Sequence, residues 1–122
     1  MDWTFRPDVP IYTQLVERLA QRIVSGGFAA GERLPSVRDL AMEAGVNPNT
    51  VQRALAELER TGLVYSQRTA GRYVTEDVSR IASAREQMAR RKAEEFLSDM
   101  AQLGVDTAQS IALLEEMKEE AQ

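Results

Sequence analysis

Apolar residues recur along the chain at two periods, and the switches between them mark its elements. From about Pro10 to Ser25, Ile11, Tyr12, Leu15, Val16, Leu19, Ala20, Ile23 and Val24 fall at helical spacing, with Glu17, Arg18, Gln21 and Arg22 between them. This predicts an amphipathic helix. Pro10 suits its first turn, where a missing N–H has no intrahelical partner to lose, and Gly26-Gly27 ends it. Phe28 and a Gly31-Glu32 turn lead to Ser36, a predicted cap answered by Asp39, for a short helix burying Val37, Leu40, Ala41 and Ala44. Gly45 supplies a left-handed stop, and Asn47-Pro48 restart a third helix with the stripe Val51, Ala54, Leu55 and Leu58, closed by Gly62. Two helices joined by Ala44-Gly45-Val46-Asn47 have the layout of a helix-turn-helix.

The period then drops to two over the short runs Leu63–Gln67 and Arg72–Thr75, separated by Arg68-Thr69-Ala70-Gly71, which predicts a β-hairpin. A hairpin directly after the second helix of a helix-turn-helix makes the winged version. Helical spacing returns from about Glu76 to Leu103, and Asp106 with Gln109 caps a last helix. The expected fold is therefore mainly α with a small β-hairpin: a winged helix-turn-helix over residues 1–76, then a two-helix tail over 77–122. Ile81, Met88, Phe96, Met100, Leu103, Ile111, Leu114 and Met117 are more apolar surface than two such helices bury against each other. They imply a partner surface, most simply a second copy of the chain, so a homodimer.

Composition narrows the chemistry. The 122 residues include neither cysteine nor histidine. That removes disulfides, thiol nucleophiles, the usual zinc ligand sets and His-dependent triads, so an enzyme is disfavoured and no cofactor is expected. The start MDWTFRPDVP lacks a basic, apolar leader, and no run approaches the roughly 18 apolar residues of a membrane span. The expectation is a cytoplasmic protein with no membrane partner. The net charge of −4 resides wholly in the tail. Residues 1–80 carry 10 Arg against 10 Asp and Glu, whereas 81–122 carry 5 cations against 9 acids. Every cation of the first 80 residues is arginine, and a neutral, arginine-rich module can still present one basic face.

If the apolar stripe of the third helix faces inward, its amino end shows Asn47, Pro48, Asn49, Thr50, Gln52 and Arg53. Such groups suit base edges, Arg toward guanine and Gln or Asn toward adenine, and the helix start offers backbone N–H groups and a positive dipole end to a phosphate. The plainer alternative is a solvated face with a good cap. Arg38 is placed to reach a backbone phosphate, or else pairs with Asp39 or Glu43. Arg68 and Arg72 flank the wing tip beside Gly71, an arrangement that can enter a minor groove. The glycines at 26, 27 and 31 lack the ending of a phosphate loop, and the glutamates at 115, 116, 119 and 120 lack the interleaved ligands of a cation site. Trp3 and Phe5 read either as a ligand-stacking pair or as a terminal arm packed on the domain.

These segments closely resemble the GntR family of bacterial transcription regulators. The likeness is carried by Pro10-Ile11-Tyr12-x-Gln14-Leu15, by Gly31 through Ala41, by Gly45-Val46-Asn47-Pro48-Asn49-Thr50-Val51, by Leu58-Glu59-Arg60-x-Gly62-Leu63-Val64, and by Gly71-Arg72-Tyr73-Val74. The resemblance implies a homodimer that binds double-stranded operator DNA, usually as a repressor. It also implies DNA contacts at Arg38, at Asn47, Asn49, Thr50, Gln52 and Arg53, and at Gly71. Thr69 stands where the family wing often has a second glycine. The short tail resembles the YtrA-type subfamily, which implies dimerisation through it, and leaves room for a small-molecule effector of unspecified class. The rival from another class is a protein–protein adaptor, for which DNA binding would be absent.

Overall fold

The computed structural model describes residues 3–121 and contains five helices and one hairpin among them. The chain divides into two compact units, one ending at Arg85 and one beginning at Glu86. In the first, α1 (Ile11–Val24), α2 (Val37–Ala44) and α3 (Pro48–Arg60) precede strands β1 (Val64–Gln67) and β2 (Gly71–Val74). Helix α4 (Val78–Gln102) begins in this unit, and α5 (Thr107–Glu120) lies in the second.

The first unit is a winged helix-turn-helix whose core follows the apolar spacing. Leu15, Leu19 and Ile23 of α1, Leu40 of α2, and Val51, Ala54, Leu55 and Leu58 of α3 are buried with Leu34, Leu63, Val64 and Val74. Ser36 accepts from the Asp39 amide at 3.0 Å, but the expected reciprocal bond from the Asp39 side chain is not formed. Gly45 takes φ 68° and ψ 37°, the left-handed conformation that ends α2 without a side-chain clash. Gln14 is buried and fully bonded: its Oε1 accepts from the Arg6 amide at 2.7 Å, and its Nε2 donates to the carbonyls of Arg6 and Val9 at 2.8 and 2.7 Å. The segment before α1 is thereby tied to that helix. Trp3 Nε1 donates to Glu43 at 3.0 Å, and the Trp3 and Phe5 rings lie 6.2 Å apart, so the aromatic pair packs a terminal arm on the domain.

The hairpin pairs Val64 with Val74 and Gln67 with Gly71 in antiparallel register. Its free edge is covered where a turn alone was expected. Leu34 N donates to the Arg72 carbonyl at 2.9 Å, Val74 N to Glu32 at 2.9 Å and Gly31 N to Val74 at 3.0 Å. Residues 31–34 thus satisfy the outer backbone groups of β2. The other face of the hairpin is held to α3 by a polar cluster. The Glu59 carboxylate accepts from Ser66 Oγ and from Arg72 Nε, both at 2.5 Å. Partial burial pushes the Glu59 carboxyl up, but the hydrogen bonds from Ser66 and Arg72 outweigh it and hold its pKa below the ordinary value.

The boundary expected at residue 76 lies inside the first unit. Asp77 caps α4, accepting from the amides of Ser79 and Arg80 at 3.1 and 3.2 Å. Ile81 is buried, and Arg85 Nε donates to the Val24 carbonyl at 2.7 Å. Ile81 therefore belongs to the core of the winged unit and is withdrawn from the expected dimer surface: one helical turn past Asp77 carries its side chain inward. In the second unit, Asp106 and Gln109 form the reciprocal capping box of α5. Met88, Phe96 and Met100 are half-buried, whereas Leu103, Ile111, Leu113, Leu114 and Met117 are exposed.

Two outcomes test this packing. Ile81→Ala should lower unfolding free energy by about 2–4 kcal/mol in chemical denaturation, the usual loss for a buried aliphatic; a change below about 0.5 kcal/mol would place Ile81 outside the core. Because the Glu59 carboxyl is depressed by folding, its contribution is present at neutral pH and disappears as pH falls through its folded value. Glu59→Gln should therefore cost about 1 kcal/mol at pH 7, with the gap from the parent protein closing in acid.

Candidate nucleic-acid interface

The amino end of α3 is built by a cap that leaves its side chains outward. Asn47 is extended, with φ −62° and ψ 132°, and its Oδ1 accepts from the Asn49 amide at 2.8 Å. Its carbonyl accepts from Thr50 N at 3.0 Å and Val51 N at 3.2 Å. Pro48 has no N–H, so the first-turn donors of α3 are all absent or occupied. The bare backbone donors expected for a phosphate are therefore not there; the dipole and the side chains remain.

Asn47, Pro48, Asn49, Gln52 and Arg53 are exposed and Thr50 is half-buried, opposite the stripe of Val51, Ala54, Leu55 and Leu58. The Arg53 guanidinium lies 4.5 Å from the centroid of the Tyr12 ring of α1, a cation–π contact that restrains it without neutralising it. Gln52 Oε1 accepts from Arg72 Nη1 at 3.1 Å. On α2, Arg38 is exposed and pairs with neither Asp39 nor Glu43.

The wing turns through Arg68, Thr69 and Ala70, and Gly71 takes φ 102°. A Cβ at Gly71 would meet Arg33 Nε at 3.3 Å and Nη2 at 3.4 Å, so the Arg33 side chain lies against the wing base. Sequence reasoning missed Arg33. Its signal was faint: the bridge of Arg33 to Tyr73, which sets it beside the wing, is a single residue pair. Arg72, expected to enter a minor groove, is instead turned back onto α3, with a side chain 19% exposed and bonded to Glu59 and Gln52.

The distribution of pairing sorts the arginines. Among the described residues of the winged unit, Arg6, Arg60, Arg72 and Arg80 pair with carboxylates, while Arg18 and Arg85 donate to backbone carbonyls. Arg22 and Arg53 lie over aromatic rings. The side chains of Arg33, Arg38 and Arg68 are exposed and have no hydrogen bond or ion pair among the described residues. They sit at the wing base, the start of α2 and the wing tip. No group of three acidic, histidine or cysteine side chains suited to a metal ion occurs among the described residues.

Residues 11–74, more than half of the chain, match the model of the bacterial regulatory proteins of the gntR family. The chain is 35% identical over 105 residues to the HTH-type regulator YhcF of Bacillus subtilis, covering 86% of this chain and 87% of that one. It is 32% identical over 102 residues to the HTH-type transcriptional repressor YtrA of the same organism, covering 83% and 78%. Among solved structures, a GntR family transcriptional regulator from Listeria monocytogenes superposes with TM-score 0.85 at 42% identity, over 92% of this chain and 98% of that one. The DNA-binding domain of AraR in complex with its operator matches 59% of this chain and 93% of its own length, at TM-score 0.55 and 26% identity. The winged fold, the capped third helix and these likenesses together make the chain a member of the GntR family of DNA-binding bacterial transcription regulators.

Proposed function

We propose that this chain is a repressor that binds a pseudo-palindromic operator as a homodimer. The observation that carries the reading is that Arg33, Arg38 and Arg68 carry uncompensated charge in the same unit whose α3 turns a polar amino end outward. Arg38 holds a phosphate, and Asn47, Pro48, Asn49, Thr50, Gln52 and Arg53 face the major groove. Arg68, with Gly71 and Arg33, lies along the neighbouring backbone or minor groove. The likeness to the transcriptional repressor YtrA and to the operator-bound DNA-binding domain of AraR supports the same role here.

Dimerisation is assigned to the tail. Leu103, Ile111, Leu114 and Met117 are between 48% and 76% exposed in the single chain, and Met88, Phe96 and Met100 are half-buried beside them in sequence. A second copy removes such surface from water most economically, since a two-fold interface meets itself. Two copies then address half-sites about one or two helical turns apart. The working compartment of such a regulator is the cytoplasm, where the chromosome is, and no helix of the described residues is long and apolar enough to cross a membrane. A small-molecule effector would act by changing the spacing of the two winged units.

The test is binding of the purified protein to DNA upstream of its own gene at several salt concentrations, with sedimentation of the same sample. Selective, steeply salt-dependent binding by a dimer is expected. Arg38→Ala should weaken all sequences alike and reduce the salt slope by about 1, whereas Gln52→Ala should change sequence preference. Uniform losses for Gln52→Ala would remove it from base reading. Leu114→Glu should convert the sedimenting species from dimer to monomer; an unchanged dimer would move the interface off this face of α5.

A further inference from the structure

The contact between Arg72 and Gln52 has a consequence for which base the protein selects. A guanidinium carries only donors, so the Gln52 atom it faces at 3.1 Å must be the amide oxygen. The amide of an exposed glutamine otherwise rotates freely and offers oxygen and nitrogen alike. Here the rotation is fixed through a chain of bonds. Ser66 Oγ donates to Glu59 Oε1, Arg72 Nε donates to the same oxygen, and Arg72 Nη1 reaches across to Gln52 Oε1. With Nε and Nη1 both engaged and a side chain only 19% exposed, Arg72 is turned toward the protein by two of its five N–H donors.

We propose that Arg72 is a specificity-determining positioning residue that presents Gln52 to DNA as a donor alone and so selects guanine at the base pair Gln52 faces. The usual bidentate pairing of glutamine with adenine needs the amide oxygen to accept from N6 while the nitrogen donates to N7. With Oε1 held against a guanidinium, an incoming N6–H₂ is brought up to a cation. Guanine instead presents two adjacent acceptors, N7 and O6, to the outward NH₂ group. Cytosine, which offers a donor in the major groove, is disfavoured for the same reason as adenine. The inference rests on the reading of the α3 amino end as the base-facing surface, and it reverses the adenine preference that glutamine alone suggests.

The experiment measures affinity of the full chain for operator duplexes in which each position carries each of the four base pairs in turn. The proteins compared are the parent, Gln52→Ala, Arg72→Met, Arg72→Lys and each Arg72 variant combined with Gln52→Ala. At the position flattened by Gln52→Ala, the parent should prefer guanine over adenine about tenfold. Arg72→Met should bring the two within about threefold there and nowhere else, with no further effect once Gln52 is alanine. Arg72→Lys keeps the charge beside Glu59 but cannot bridge two acceptors in the same plane, so it should relax the same position even if the methionine variant fails to fold. A uniform loss at every sequence with a salt slope smaller by about 1 would make Arg72 a phosphate contact and overturn the proposal. So would a parental preference for adenine at that position. If Gln52→Ala flattens no position at all, the base-facing assignment of Gln52 falls first, and the coupling with it.

Discussion

Helix α3 packs on α1, α2 and β1 at once, and this three-sided contact fixes everything the protein offers to a partner. Val51, Ala54, Leu55 and Leu58 are almost wholly removed from water. At about 1.5–3 kcal/mol for each fully buried large aliphatic side chain, the stripe contributes an amount comparable with the whole net stability of a small domain. Rotating α3 by one residue would withdraw that stripe from the core and substitute Gln52 or Arg53. The outward face is therefore set by what the inward face must bury. The cap at Asn47 and the left-handed Gly45 then fix where that face begins, because they determine the residue at which the helix starts.

Charge is arranged on this frame by pairing rather than by excess. The winged portion has as many acids as arginines, so a basic surface arises only where arginines escape their partners. Glu57 is held by Arg60, Asp77 by Arg80 and Glu59 by Arg72, and hydrogen bonds from those neighbours keep the first two carboxyls below their ordinary pKa, with the Ser79 hydroxyl the larger influence on Asp77. Arg33, Arg38 and Arg68 are left over. Arginine suits this division of labour, since one planar fork serves equally to clamp a carboxylate within the protein or a phosphate outside it.

Local rules carried the sequence reading a long way. The helices, the Ser36, Asn47 and Asp106 caps, the hairpin and the inward stripe of α3 depend on spacing and on residues within a turn of each other, and all are present. What escaped depends on register between distant segments. The pairing of residues 31–34 with β2 brings Arg33 to Gly71, yet four residues are too few for a period to be seen. Ile81 repeats at helical spacing with the tail residues, and only the packing of the start of α4 shows it to be core. The occupied amides of Asn49 and Thr50 show that a good cap and an open anion site compete for the same donors.

Arg72 shows most clearly how a charge can be worth more inside a protein than at its surface. Left free at the wing, a guanidinium would add a sequence-independent attraction to DNA and one more unit of salt dependence. Tied to Glu59, it yields a modest gain in stability, because the pair is partly solvated. Its larger effect falls on Gln52, whose long side chain carries up to about 2 kcal/mol of rotamer entropy that binding would otherwise have to remove. A side chain held before the encounter loses less on contact, and it is held in one of two chemically opposite orientations. In the proposed role of Gln52, the wing gives up affinity common to all sequences in exchange for discrimination between bases, which is the quantity that separates one operator from the rest of a genome.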